Sequence, residues 1–346
     1  MSSSEASPTH SFRARARVAV IVPAYGVAHL VGAALESLQA QTIADWECVV
    51  VDDGAPDDVA GAVAPFLQDP RITLLQTDNA GVSTARNRAI AATRAPLIAL
   101  LDGDDMLRPY YLEQTCAALE ADESARLVTV NARIFGAVPQ ERTCFAAKQG
   151  TCDGRRGSLA DVLDRSFGVY IGSTFRRADF EAVGGFDPGM THAEDFDLWV
   201  RLMLLGGHAL YIDEVLGDYR IRSASASAAE MKMLKGNIRT FEKALEKLPT
   251  DAPEADTARS MIAENERQLR FALAADRVID GETEALGDLR SSAGRELGMV
   301  WRFYFALWSI LPMLAPSMLE FRRRRNARGA GVSEHESAPQ TNAATA

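Results

Sequence analysis

The sequence predicts an α/β fold built on a mainly parallel sheet flanked by helices, followed by a helical C-terminal extension. Three observations carry this. From Val18 onward, short apolar runs alternate with amphipathic ones, which is the order of β-α-β units. Acidic and turn residues follow the apolar runs as "PAYG", "DDGAPDD", "DNAG" and "DGDD", at the strand ends where open α/β sheets bind ligands. Beyond Ser223 no β signal returns, and charged, Ala- and Leu-rich helices take over.

The strand candidates in order are "VAVIV", "CVVV", "ITLL" and "LIALL". Between them "AHLVGAALESLQAQ", "DDVAGAVAPFLQ" and "VSTARNRAIAAT" read as helices, the second ended or bent by Pro65. After a less regular stretch at 136–158, "GVYIGSTF" supplies another strand, "GGFDPG" a turn and Glu194 the start of a helix. The segment "HALYIDEVLGDYRIR" reads as closing strands. We divide the chain into a flexible tail (1–17), a catalytic domain (18–227), a helical extension (228–295), an apolar segment with a basic end (296–325) and a disordered tail (326–346).

With 346 residues, 47% hydrophobic and 24% charged, the chain can bury a full globular core. A net charge of -10 excludes a general nucleic-acid binder, which needs a basic face for phosphates. Cys48, Cys116, Cys144 and Cys152 form no C-x-x-C pair, so neither a zinc site nor a disulfide framework is expected. The N-terminus has arginines but no apolar stretch before a cleavage site, so no secretory signal is expected and a reducing, cytoplasmic setting follows. The uncharged run "FYFALWSILPMLAPSML" (303–319) is broken by Pro312 and Pro316 and followed by Arg322–Arg325. It is short for a span of roughly 20 residues. Peripheral contact of 303–325 with the inner face of a membrane, packing on the catalytic domain and contact with a partner chain all remain open.

In "PLIALLDGDDML" an apolar strand ends in Asp102, Asp104 and Asp105, three carboxylates that repel one another. In an extended segment, alternate side chains point the same way, so Asp102 and Asp104 share a face while Gly103 permits close approach. A hard divalent cation, Mg2+ or Mn2+, with a diphosphate would relieve the repulsion. In "AEDFDLW", Glu194, Asp195 and Asp197 either supply a base or are acids favoured by the dipole of a helix N-terminus.

The fragments "VAVIVPAYG", "VVVDDGAPDD", "NAGVSTARNRAI", "LLDGDD", "GGFDPGMTHAEDFDLWVRL" and "YRIRSASAS" stand in order over residues 18–227, and the chain resembles a family 2 glycosyltransferase with the glycosyltransferase A-type fold. The resemblance implies a metal-dependent, inverting transfer of a sugar from a nucleotide-sugar, most often UDP-linked. The acceptor would be a hydroxyl of a glycan, lipid-linked or protein molecule in surface polysaccharide or glycoconjugate synthesis. It places Pro23, Ala24, Tyr25 and Asp52 at the nucleotide base and Arg86 near the nucleotide-sugar. Asp102, Gly103 and Asp104 would serve the ribose, diphosphate and metal. Asp195 becomes the base, with Glu194 orienting the acceptor or its loop.

Where relatives have histidine in the closing segment this chain has "YRIR", so Arg220 or Arg222 is expected on the diphosphate rather than on a metal. Several residues carry a structural alternative. Tyr25 packs, Arg86 pairs with a surface acid, Asp53 and Asp57 cap the following helix, His192 is a plain loop residue and Trp199 is core. Two rival functions also remain: a non-catalytic scaffold with a transferase-like domain, and a sugar-phosphate nucleotidylyltransferase, whose Gly-rich phosphate loop is missing from "VPAYGVAHL".

Overall fold

The computed structural model describes residues 16–145, 147–151, 153–222, 226–294 and 298–329. The N-terminal tail up to residue 15, Cys152, residues 223–225 and the tail from 330 lie outside the described residues. The chain divides into two compact units. The first comprises the described residues up to Ile134, Arg142–Arg220 and Met233–Asn265; the second comprises Phe135–Glu141, Ile221–Lys232 and the described residues from Glu266 onward.

The chain begins with β1 (Val18–Ala24), α1 (Val31–Gln39), β2 (Trp46–Asp53), α2 (Val59–Val63), β3 (Ile72–Thr77), α3 (Val82–Ala91) and β4 (Leu97–Leu100). Then come β5 (Met106–Leu107), α4 (Tyr111–Ala121), β6 (Ala125–Gly136), β7 (Arg142–Thr143), β8 (Arg156–Gly157), α5 (Leu159–Leu163), β9 (Thr174–Arg176) and α6 (Arg177–Ala182). α7 (Glu194–Met203), β10 (His208–Ile221), α8 (Ala226–Leu245), α9 (Pro253–Ile279), α10 (Leu286–Ser292), α11 (Met299–Ile310) and α12 (Ala315–Gly329) complete it.

The sheet order is β3-β2-β1-β4-β9-β6-β10-β5, with β7 added to β6 and β8 to β10. Its first four strands are parallel, as the β-α-β alternation requires, and β9 joins β4 antiparallel. Both faces are covered. Val18, Val20 and Val22 of β1 meet α1 and α4, while Ala19 and Ile21 meet α3 and α7. Double coverage is why these strands read as continuous apolar runs rather than alternating ones.

α1 buries Val31, Ala34, Leu35 and Leu38, the spacing of a helix with one apolar stripe. α2 stops at Val63 and continues as a short 3-10 turn, Ala64–Gln68, with Pro65 in its first turn, where a missing N–H costs nothing.

Among the elements that escape the sequence reading are α4 and β6. β6 carries Asn131 and Arg133 among its apolar residues, a pattern that argues against a buried strand. Asn131 is buried because the Phe145 N–H donates to its Oδ1 (3.1 Å) and its Nδ2 donates to the Phe145 carbonyl (3.1 Å). A residue 14 positions away settles the cost of burial. Conversely "GVYIGSTF" is strand only at Thr174–Arg176. The closing segment is one 14-residue strand, β10. Gly217 lies inside it because a Cβ there would stand 2.8 Å from the Tyr170 ring.

Gly54 closes the end of β2 at φ +64°, and a Cβ there would stand 2.8 Å from the Asn79 backbone nitrogen. Strained conformation and backbone clash act together, so Gly54→Ala is expected to destabilise by about 1–3 kcal/mol. Urea unfolding measures this, and an unchanged midpoint would contradict it.

The second unit has its own small core, in which Val278, Leu289, Trp308 and Leu319 come together. Here the apolar run of 303–319 is two helices, α11 and α12, separated by a 3-10 turn at Pro312–Leu314. Among the described residues no helix is long and apolar enough to cross a membrane.

Candidate active site

Parallel pairing brings the carboxyl ends of the first four strands into line. Ala24 pairs with Asp52, Asp52 with Gln76, and the Leu101 N–H donates to the Ile21 carbonyl (3.0 Å). A Cβ at Gly103 would stand 3.1 Å from the Pro23 carbonyl oxygen, so glycine lets the acidic turn lie against the end of β1. Pro23, Ala24, Asp52, Asp102 and Gly103 thus share one edge, with Tyr25 beside them and 52% exposed. Asp52 is held by the Ala55 N–H at 2.9 Å and the Gln76 amide at 3.4 Å.

Asp53 and Asp57 do not cap the helix that follows. Asp58 does, accepting from the Gly61 N–H at 2.9 Å. Asp57 accepts from the N–H groups of Gly26 (3.1 Å) and Ala28 (2.6 Å), and Asp53 from those of Ala80 (3.1 Å) and Gly81 (2.9 Å). Each reaches across to a neighbouring loop whose N–H groups have no ladder partner, and the two together frame the edge.

The three carboxylates of the acidic turn are resolved by separation. Asp105 turns inward, where the Tyr170 hydroxyl donates to Oδ2 (3.1 Å) and the Arg220 N–H to Oδ1 (2.8 Å). Burial, reinforced by the charge of Asp102, pushes Asp105 up to about 8. The Arg220 Nε donates to the Asp104 carbonyl (2.9 Å), tying β10 to the same turn. Asp102 and Asp104, both partly accessible, remain as the pair at the surface. Arg222 belongs to the second unit, beyond the end of β10.

Arg86 joins the two acidic motifs. From α3 its guanidinium donates to Asp102 Oδ1 at 2.7 Å and to Glu194 Oε1 at 2.8 Å, and the residue is only 2% exposed. Burial opposes its charge, but the Asp102 and Glu194 carboxylates outweigh burial and hold it above its ordinary value. It is therefore not a surface ion pair. Next to it, Asp195 is pushed up by burial first and by the Glu194 charge second, while the Phe196 N–H donates to its Oδ1 (2.7 Å).

Several side chains that fix this geometry were invisible as motifs. Asn87 accepts from the Phe186 N–H (2.9 Å) and donates to the Phe186 carbonyl (2.8 Å), clasping the turn at Gly184 and Gly185, whose φ values are +81° and +78°. Asp197, two residues after Asp195 in α7, receives Arg201 (2.6 Å) and Lys243 of α8 (2.6 Å), and Arg201 also donates to the carbonyls of Val183 and Gly185. Asp197 is thus a buried anchor rather than a helix-dipole residue. Ala193 takes the left-handed conformation (φ 57°) just before Glu194, a strained entry for a non-glycine residue. Arg165 lies over the Phe196 ring (4.1 Å) and donates to Asn237 (2.7 Å). His192 contacts Thr191 (3.2 Å), and Trp199 is core, its ring 5.6 Å from Phe175.

Among the described residues no group of three or more His, Cys, Asp or Glu could hold a metal ion. Two partly accessible carboxylates, Asp102 and Asp104, still suit Mg2+ or Mn2+, because such ions are usually held by one or two protein carboxylates together with water and substrate phosphates. The donor set at Asp102 and Asp104 fits that habit.

A family model, Glycosyl transferase family 2, matches residues 19–184. The chain is 40% identical over 222 residues to the succinoglycan biosynthesis protein ExoO of Rhizobium meliloti, covering 61% of this chain and 62% of ExoO. It is 26% identical over 226 residues to WfgD of Escherichia coli, a UDP-Glc:alpha-D-GlcNAc-diphosphoundecaprenol beta-1,3-glucosyltransferase, covering 63% of this chain and 82% of WfgD. Its fold resembles that of S. aureus TarS 1-349, solved with UDP-GlcNAc (TM-score 0.61, 16% identity, 90% of each chain). It also resembles the mannosyltransferase PcManGT of Pyrobaculum calidifontis, solved with GDP-Man and Mn2+ (TM-score 0.59, 18% identity, 93% of this chain and 88% of that one). Motif order, sheet order and relatives agree: residues 19–184 belong to glycosyl transferase family 2, and the chain is a glycosyltransferase.

Proposed function

We propose that this chain transfers a sugar from a UDP-linked donor to a hydroxyl of a lipid-linked or growing glycan acceptor, with inversion and with a divalent cation at Asp102 and Asp104. The observation that carries the proposal is the buried Arg86, which locks the acidic turn after β4 to the first residue of α7. Donor-side carboxylates and the candidate base are thereby set in one rigid frame. WfgD, with its UDP-glucose donor and diphosphoundecaprenol-linked acceptor, supports the choice of nucleotide and acceptor.

In this reading Pro23, Ala24, Tyr25 and Asp52 line the base of the nucleotide. Asp195 takes the proton of the acceptor hydroxyl, whose oxygen attacks the anomeric carbon from the face opposite the diphosphate. The bond from that carbon to the diphosphate oxygen breaks and the nucleoside diphosphate leaves. The cation, when bound, stabilises the charge that grows on the leaving diphosphate. The reaction runs on the cytoplasmic side, where nucleotide-sugars are available.

The test is binding of UDP-, GDP- and dTDP-sugars with and without Mg2+ or Mn2+, using wild type and Asp104→Ala. One nucleotide, UDP, is expected to bind in a cation-dependent way, and Asp104→Ala to weaken it by about tenfold or more. Metal-independent binding, or binding unaffected by Asp104→Ala, would remove the cation from the proposal; binding of no nucleotide-sugar would remove the donor.

A further inference from the structure

The reaction proposed above makes no use of the C-terminal apolar run, and the second unit taken by itself shows how that run is divided. One face of α11 is internal, with Trp308 buried among Val278, Leu289 and Leu319, and Trp301 stacked on Phe305 at 5.9 Å. Another stripe of the same helix, Met299, Phe303 and Ile310, lies at positions i, i+4 and i+11, and these side chains are 85%, 63% and 77% exposed. Leu311, Met313 and Leu314 in the turn that follows are exposed as well. Single exposed apolar residues are ordinary on a soluble surface, but six along one helix and its turn form a patch that marks an interaction site.

Charge identifies the occupant. The chain as a whole carries -10, yet from Met299 to Gly329 the sequence holds six arginines (Arg302, Arg322–Arg325 and Arg328) and a single acid, Glu320. Arg322 lies over the Trp301 ring at 4.7 Å, and Arg323 bonds Asp276 at 2.9 Å, so basic groups are carried on the same small unit as the apolar stripe. An apolar stripe joined to a basic helix end is the pattern of an element lying in a membrane interface, its side chains at the acyl boundary and its arginines among anionic headgroups. Spanning is ruled out for α11, whose 12 residues measure about 18 Å against a hydrocarbon core of about 30 Å.

We propose that α11, the turn after it and the start of α12 form a monotopic docking surface for an anionic lipid bilayer, entered by Met299, Phe303, Ile310 and Met313. The proposal does not depend on the identity of donor or acceptor. Its test is flotation of the full chain with vesicles of phosphatidylcholine alone or mixed with phosphatidylglycerol, for wild type and the double variant Phe303→Glu, Ile310→Glu. Both residues are exposed, so circular dichroism and the melting temperature are expected to stay unchanged.

Wild type is expected to float with the anionic vesicles and not with phosphatidylcholine alone, to detach between about 0.1 M and about 1 M salt, and to lose about tenfold or more of its partitioning in the double variant. Absence of binding to anionic vesicles, equal binding to both vesicle types, or undiminished binding by the variant overturns the proposal. A wild type that is dimeric, becomes monomeric in the variant and ignores vesicles gives the face to a second copy instead.

Discussion

Asp195→Asn is expected to lower turnover by about 10²–10⁴-fold, the range for loss of a general base, while donor affinity stays at the wild-type level. Asparagine keeps an oxygen in the place of Oδ1, so the bond from the Phe196 N–H and the start of α7 survive. What disappears is the ability to take a proton. The pH profile carries an independent sign. Only the ionised carboxylate acts as base, and burial followed by the Glu194 charge raises its pKa. Activity therefore falls as pH drops through that raised value, and the acid limb lies above the ordinary aspartate value of about 3.9. Glu194→Gln removes one of the causes and moves the limb toward lower pH.

Stability moves the opposite way. Because the folded state holds this proton more tightly than the unfolded chain, the ionised group disfavours folding once pH exceeds the unfolded value. At neutral pH the asparagine variant is expected to melt at or above the wild-type temperature. Steady-state rates with donor in excess and a melting curve decide the matter. An Asn variant with wild-type turnover would move the base elsewhere.

Arg86→Ala is expected to cost about 3–5 kcal/mol of stability, the range for removing one partner of a buried ion pair. The loss comes less from the vanished bonds than from what stays behind. Asp102 and Glu194, each within 2.8 Å of the guanidinium, would face one another across the space left by the buried Arg86, without its charge between them. Arg86→Lys restores a charge, but one ammonium on a flexible stem cannot reproduce the forked geometry, so partial recovery is expected. Urea unfolding of the three proteins at neutral pH measures it. A loss below about 1 kcal/mol would mean that the pair behaves as a solvated surface bridge.

The contrast between Asp102 and Asp105 shows how far residues can be read without coordinates. Both stand in "DGDD", where alternation puts Asp102 on a face with Asp104 but leaves the role of Asp105 unassigned. Strand position sets which loop they occupy; only the arrival of Tyr170 and Arg220 from distant segments turns Asp105 inward. The same holds for "AEDFDLW". The helix that begins at Glu194 was readable, but Asp197 became an anchor only when Arg201 and Lys243 closed on it. Asn87 sat within a recognised fragment, yet its clasp on Phe186 spans 99 positions.

The parallel core, the order of its first four strands' loops and the gathering of acidic residues at one edge were determined by the sequence itself. They rest on local periodicity and on the rule that parallel strands present their carboxyl ends together. The long β6, the continuity of β10, the burial of Arg86 between two carboxylates and the split of the C-terminal run into buried and exposed faces were decided by tertiary structure alone. Each depends on partners far away in the chain, and the free energy of burying a polar or charged group is set by those partners rather than by its neighbours in sequence.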